Sequence, residues 1–215
     1  MKLGLISDIH GDPVALELAW AHLTVLGVAR IVCAGDLLGY GPFPDRVVAF
    51  MAEKQIPSVR GNHDRWALER GPGRRDEFGG ATPSNATLDY LGALPAEWVG
   101  ADMDRIAVVV HGSPRSDMEF VTPSTHPPEQ LRADLSRLNT DVLVLGHTHV
   151  PGWFRCTEGL VVNPGSLVSM PVVKTSRTFA IVELATLEVT FHDVESGAVV
   201  HVPPWQAAIA PPAES

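Results

Sequence analysis

Asp8 and His10 stand two residues apart just past an apolar run, and the same juxtaposition recurs along the chain. The run 31–34 is followed by Gly35-Asp36, the run 56–60 by Gly61-Asn62-His63-Asp64, the run 106–110 by His111-Gly112, and the run 142–145 by Gly146-His147-Thr148-His149. Taken singly, each cluster is an ordinary turn, since Gly-Asp is a turn dipeptide and Asp or Asn readily caps a helix. Together they follow five buried-strand patterns and draw in five of the nine histidines. Such placement describes a site at strand ends, where side chains on rigid elements face the crevice at a sheet's carboxyl edge. Asp36 is the one carboxylate placed to sit among all the others.

Carboxylate, imidazole and amide oxygen suit divalent Mn, Fe, Co, Ni or Zn, with little to choose among them. Six or seven such groups are too many for one ion that keeps an open position; they suit two ions ~3.5–4 Å apart bridged by one carboxylate. A water shared by two cations is expected to lose its proton near neutral pH and become a hydroxide nucleophile, while the cations clamp the oxygens of a phosphate ester. The chemistry expected is in-line hydrolysis of a phosphoester.

The elements that must carry these residues alternate at first. Residues 2–7, 30–34, 56–60, 106–110 and 142–145 read as buried strands. A helix is expected after Asp12, an N-cap followed by Pro13, with Leu16, Trp20, Leu23 and Leu26 at helical spacing and Gly27 as the stop. Further helices are expected over 45–54, 65–70, 84–94 and 129–138. From Trp153 the texture changes to short strands at 153–156, 160–162, 178–184 and 188–192, with no helix between them, which predicts antiparallel neighbours. Loops 71–83 and 113–128 lack periodicity; the first, polar and glycine-rich, is expected to be mobile. One domain is expected over 1–202, followed by a flexible proline-rich tail over 203–215.

The chain has 215 residues, 45% of them hydrophobic and 19% charged, enough for a sizeable core and too apolar for wholesale disorder. Its net charge of -9 does not suit a general nucleic-acid or anionic-membrane binder, so no stable nucleic-acid complex and no membrane association are expected. Two cysteines supply neither a disulfide framework nor a thiolate metal site. Without a signal-like start or an apolar run of ~18–20 residues, a soluble cytoplasmic protein is expected.

The ordered set Asp8-x-His10, Gly35-Asp36, Gly61-Asn62-His63-Asp64, His111-Gly112 and Gly146-His147-x-His149 resembles the calcineurin-like metallophosphoesterase superfamily. The phrases Gly35-Asp36-Leu37-Leu38-Gly39-Tyr40-Gly41-Pro42 and His111-Gly112-Ser113-Pro114-Arg115 resemble its small bacterial and archaeal phosphodiesterase branch. The resemblance implies a four-layer αββα sandwich, two mixed sheets flanked by helices. It implies two divalent metal ions (Mn, Fe, Zn, Co or Ni), one held by Asp8, His10, Asp36 and His149, the other by Asp36, Asn62, His111 and His147. Catalysis would fall to Asp36 and to His63, a non-ligand histidine that would stabilise developing charge and protonate the leaving oxygen. Asn62, His63 and Arg115 would contact substrate, Arg115 through a charge-assisted fork on phosphate.

The function expected is hydrolysis of a small or nucleotide-like phosphodiester. A phosphomonoesterase or protein phosphatase, a dinucleoside polyphosphate hydrolase, and a non-catalytic scaffold are the alternatives; a homo-oligomer stays open. Asp64 is expected either to orient a neighbour or to cap the following helix. Tyr40 reads as a core or turn packing residue before a cleft-lining one, the tryptophans as packing residues, Asn163-Pro164-Gly165-Ser166 as a tight turn whose proximity to the site stays open, and His22, His126, His192 and His201 as surface or core histidines.

Overall fold

Period-two alternation along the apolar runs decides which side chains meet which layer. The computed structural model describes residues 1–74, 79–102, 105–169 and 176–205. Its elements begin with β1 (Lys2–Ile6), α1 (Pro13–Val25), β2 (Arg30–Cys33), α2 (Pro44–Glu53), α3 (Asn62–Arg70) and α4 (Asn85–Ala93). They continue with β3 (Glu97–Asp102), β4 (Arg105–Val110), α5 (Pro128–Leu138), β5 (Val142–Val144), β6 (Gly152–Arg155) and β7 (Leu160–Asn163). The last are β8 (Thr178–Glu183), β9 (Glu188–Asp193) and β10 (Val199–Val200).

The strands form two mixed sheets, ordered β10-β9-β8-β1-β2 and β3-β4-β5-β7-β6. β1 and β2 are parallel, with Leu5 opposite Val32. β4 and β5 are parallel in the second sheet, with Val108 opposite Leu143. Leu3, Leu5, Val32, Ala107, Val109, Val142, Val144 and Val182 form the core between the sheets. The alternate residues Ile6, Cys33, Phe179 and Ile181 face Leu16 and Leu23 of α1, Val47 and Met51 of α2 and Leu91 of α4. Val108, Val110, Leu143 and Val161 pack on Leu131 and Leu135 of α5. Three cores separate four layers, the αββα sandwich expected. Each fully buried Leu, Ile or Val in them contributes about 1.5–3 kcal/mol.

Local chemistry sets the helix starts. Asp12 caps α1 by accepting from the backbone N–H of Val14 (3.0 Å) and Ala15 (3.1 Å), with Pro13 in the first turn. Ser84 accepts from Thr87 N–H at 3.2 Å to start α4. α3 starts three residues earlier than expected, because the Asp64 carboxylate reaches back to Gly61 N–H at 3.0 Å and closes the first turn around Asn62 and His63.

Other expectations are corrected. Residues 56–60 form no strand, only a bridge between Cys33 and Ser58, in a segment where Pro57 lacks a donor. β6 and β7, and β8 and β9, are antiparallel as expected, but β7 also joins β5 in parallel. β3 and β10 were not read as strands: Gly100 interrupts the apolar run of one, and the other has two residues. Residues 203–205, expected to fray, are bound: Trp205 N–H donates to Trp153 O at 2.7 Å, and Trp153 Nε1 donates to Val202 O at 3.0 Å. Residues 206–215 of that tail and 75–78 of the 71–83 loop lie outside the described residues. No described helix is long and apolar enough to cross a membrane.

Candidate metal centre and its cleft

β1, β2, β4 and β5 deliver their carboxyl ends to one edge, and backbone hydrogen bonds lace the loops that follow. Asp8 N–H donates to Gly35 O (3.0 Å), Ile9 N–H to Asp36 O (2.9 Å) and Gly146 N–H to His111 O (2.6 Å). Eight described non-glycine residues have positive φ, and five belong to the expected site: Asp8 (54°), His10 (47°), Asp36 (54°), His147 (65°) and His149 (60°). This left-handed backbone costs on the order of 1–3 kcal/mol per residue and persists where surrounding bonds over-determine it. It turns each chain sharply after its strand. Close approach adds a further constraint at Gly61, where a Cβ would overlap the Asp36 carboxylate.

The turns bring the side chains together. His149 Nε2 lies 3.2 Å from Asp8 Oδ1 and 3.0 Å from His10 Nε2. Asp36 Oδ2 lies 3.9 Å from His10 Nε2 and 3.3 Å from His111 Nε2. His111 Nε2 also lies 2.9 Å from Asn62 Oδ1. Three groups have ligand atoms within 4.8 Å of one another: Asp8, His10 and His149; Asp36, His111 and His147; and His10, Asp36 and His63. Asp36 and His10 each belong to two of them. His63 N–H, in the first turn of α3, donates to Asp36 Oδ1 at 2.8 Å.

Hydrogen bonds fix which nitrogens face inward. His10 Nδ1 lies 3.0 Å from Leu38 O and His111 Nδ1 lies 2.7 Å from Ala34 O. A carbonyl only accepts, so both Nδ1 atoms carry hydrogen and both Nε2 atoms point into the cluster. Burial depresses His10 to about 4, leaving it neutral at pH 7. Burial would depress His111 as well, but the Asp36 carboxylate overrides it and raises His111 to about 10. Burial works against the Asp36 charge, yet His111, His10 and His63 hold that carboxyl well below the usual range.

This donor set fits divalent cations. Nε2 of His10, carboxylate oxygens of Asp8 and Asp36 and the Asn62 amide oxygen crowd together as acceptors around Nε2 of His111 and His149, an arrangement that needs positive charge among them, from protons or from cations. A further buried atom, His147 Nε2, has no hydrogen-bond partner among the described residues. The cluster opens to a cleft of ≈ 290 Å³ lined by Asp36, Asn62, His63, His147, Thr148 and His149, and by Tyr40, Trp66, Met118 and Phe120.

A sequence model described as the calcineurin-like phosphoesterase superfamily domain matches residues 1–187. The chain belongs to this superfamily. Phosphodiesterase YfcE of Escherichia coli is 30% identical over 182 residues, which span 80% of this chain and 81% of that protein. A crystal structure of a metallophosphoesterase from Sphaerobacter thermophilus superposes with a TM-score of 0.71 at 30% identity, covering 91% of this chain and 88% of the other. An uncharacterised protein of Methanocaldococcus jannaschii is 27% identical over 161 residues, 69% of this chain but 63% of its own length, so the chain spans less than two thirds of that relative.

Within this superfamily chain, the expected residues separate into two sets. Asp8, His10, Asp36, Asn62, His63, His111, His147 and His149 meet at one edge. Arg115 is not among the described residues lining the cleft: its guanidinium donates to Asp134 Oδ1 (2.7 Å) and Glu119 Oε2 (3.0 Å). Asp64 both caps and bridges, accepting from Gly61 N–H and, at 3.1 Å, from Leu38 N–H. Sequence reasoning missed the apolar wall of Trp66, Met118 and Phe120; Tyr40, read as packing before cleft-lining, does line the cleft. The 163–166 turn, whose proximity to the site the sequence leaves open, supplies two props: Asn163 Nδ2 donates to Gly146 O (2.7 Å) and Ser166 Oγ to Asp8 O (2.9 Å). Asn163 ends β7 and Ser166 follows it, at the end of an apolar run like the other clusters, and that is the signal that could have found them.

Proposed function

We propose that the chain is a metal-dependent phosphodiesterase. One divalent cation would be held by Asp8, His10, Asp36 and His149, and a second by Asp36, Asn62, His111 and His147. The observation that carries this is the buried ring of carboxylate, amide-oxygen and imidazole groups around Asp36, whose close approaches need positive charge among them. When bound, the cations would supply Lewis acidity to the phosphoryl oxygens and acidify a water.

The chain's own residues supply orientation and the proton. Asp36 receives the His63 amide, which fixes the start of α3 and with it the His63 ring. That ring packs 5.0 Å from Tyr40 and 4.9 Å from Trp66, centroid to centroid, at the wall of the cleft. A protonated His63 would give its proton to the departing alkoxide, a contribution of about 10²–10⁴ in rate. A monoanionic diester is favoured over a dianionic monoester because neither lysine nor arginine is among the described residues lining the cleft.

The test is a side-by-side assay of metal-stripped protein reloaded with Mn²⁺, Zn²⁺, Co²⁺ or Ni²⁺ against bis(4-nitrophenyl) phosphate and 4-nitrophenyl phosphate. Turnover of the diester, dependent on metal and at least tenfold more efficient than that of the monoester, is expected. No diester turnover with any of these metals overturns the function; a preference for the monoester overturns the substrate class.

A further inference from the structure

A second cleft, of ≈ 320 Å³, adjoins the first and shares Tyr40 with it. We propose that it is a subsite for an aromatic ester arm of the substrate, the arm that stays on the phosphate, with Val14, Tyr40 and Phe43 determining specificity. The proposal rests on the phosphodiesterase reading above and extends it to a substrate class.

Position comes first. The cleft reaches the metal cluster through His10, whose ring lies 4.6 Å from that of Tyr40. Tyr40 in turn lies 5.0 Å from His63. A phosphate seated at the cluster would therefore have one cleft on each side of the Tyr40 ring. A phosphodiester carries two organic arms and a monoester only one.

The walls say what such an arm must be. Val14 is 57% exposed and Phe43 48% exposed, and both line this cleft; Met118 (40%) and Phe120 (54%) line the other. Four of the eight exposed large hydrophobic residues among those described thus border these two clefts. Exposed apolar surface gathered in this way marks a binding site. Among the described residues lining the second cleft there is no lysine, arginine or glutamate, and the one carboxylate among them, Asp12, is engaged in capping α1. Its volume lies at the lower end of small-molecule sites, suited to one planar group.

The subsite is also preformed. Gly41 N–H donates to His10 O (2.6 Å), Phe43 N–H to Gly11 O (3.1 Å) and Gly11 N–H to Leu37 O (2.8 Å). A Cβ at Gly41 would collide with the His10 carbonyl, so only glycine lets the two loops dock. The Arg46 guanidinium lies 5.6 Å over the Phe43 ring. Walls held in this way need no ordering when the ligand arrives.

The leaving arm is assigned to the first cleft because His63 lines that one and not the second. Water adds to phosphorus, the bond to the leaving oxygen breaks, and the alcohol departs with the proton from His63. The arm beside Phe43 remains on the phosphate, so the product is its monoester.

Two substrates with one leaving group test this: phenyl 4-nitrophenyl phosphate and methyl 4-nitrophenyl phosphate, each with Mn²⁺-loaded protein. A KM at least tenfold lower for the phenyl ester is expected. Phe43→Ala should raise the KM of the phenyl ester about tenfold and leave that of the methyl ester within twofold, with kcat, metal content and melting temperature unchanged. Val14→Asn, at an exposed helical position, should act in the same direction. Equal KM values in the wild type, or equal effects of Phe43→Ala on both esters, overturn the subsite. Calorimetric binding of diphenyl and dimethyl phosphate separates it from the function. Tight, Phe43-dependent binding of diphenyl phosphate without turnover keeps the subsite and sinks the hydrolase. Turnover of both esters with no aryl preference in binding does the reverse.

Discussion

The Nε2 atoms of His10 and His149 face each other across 3.0 Å, and Asp8 Oδ1 lies 3.2 Å from the second. His10 gives its Nδ1 hydrogen to Leu38 O, so its Nε2 presents a lone pair. Two imidazole nitrogens approach this closely only with a proton or a cation between them. Burial disfavours a charge on His149, but the Asp8 carboxylate prevails and raises its pKa. Without metal, a proton on His149 Nε2 fills the gap, and His111, raised to about 10, holds another beside Asp36.

Metal uptake must therefore displace protons. The sign follows: acid favours the protonated, metal-free form, so affinity rises with pH until His111 would deprotonate unaided. Titrating Mn²⁺ into weakly buffered, metal-stripped protein near pH 7 should acidify the solution, and the apparent affinity should climb steadily from about pH 6 to pH 8. A pH-independent affinity with no proton release would show that these nitrogens are not ligands.

Asp36 separates charge from shape. Its Oδ1 accepts the His63 amide, a bond that an asparagine oxygen reproduces, while its Oδ2 faces His111 and His10. Asp36→Asn should lower the melting temperature of metal-stripped protein without unfolding it at room temperature, because buried His111 loses its carboxylate partner. If Asp36 is shared by two cations as proposed, metal bound per chain should fall from two to one or fewer, and diester turnover should fall by at least about 10³-fold, since both cation positions would lose a ligand. Retained metal with retained turnover would remove Asp36 from the centre.

Asp45 tests the frame behind the site. Its Oδ1 accepts from Ser84 N–H (2.9 Å) and Thr87 Oγ1 (2.6 Å), joining α2 to the start of α4. Slight burial works against its charge, but these bonds prevail and hold the carboxyl below its ordinary value. A lowered carboxyl adds stability that is present above the unfolded-state pKa and lost as pH falls through the folded one. Asp45→Ala should cost about 1 kcal/mol in urea unfolding at pH 7, a modest figure for an exposed group. The gap between wild type and variant should narrow below about pH 4. A gap equal at both pH values would show that the carboxylate charge plays no part.

The strand ends were legible because each ligand cluster abuts an apolar run with a period of its own, and the αββα layers followed from the switch between helix-separated and adjacent strands. Pairing across sheets was not. β3 shows itself only against β4, and the short run containing Pro57 reads as a strand until its missing donor is counted. Nothing local marks Asp8 or His147 for positive φ, which tertiary bonds impose. Met118 and Phe120 look like loop residues for the same reason: what directs them is an ion-pair frame between residues distant in sequence.

Arg115 belongs to that frame. It pairs with Asp134 of α5 (2.7 Å) and with Glu119 (3.0 Å), which also accepts from Ser113 and lies 3.1 Å from His126. At the other end of the loop, Arg65 of α3 grips Asp117 through two bonds of 2.7 and 3.2 Å. Met118 and Phe120 are thus presented to the cleft, with the Phe120 ring 4.4 Å from His147. As a positioning residue, Arg115 should act on the apolar wall and not on phosphate. Arg115→Ala and Asp134→Ala should each raise the KM for an aryl diester by about 3–10-fold, leaving kcat and metal content within twofold, and the double variant should match Arg115→Ala, because the Arg115–Asp134 bond is already lost in it. Had Arg115 contacted phosphate, Asp134→Ala would release it toward the substrate and KM would hold or fall. A KM unaffected by Asp134→Ala, with a large loss in Arg115→Ala, would return the arginine to the substrate.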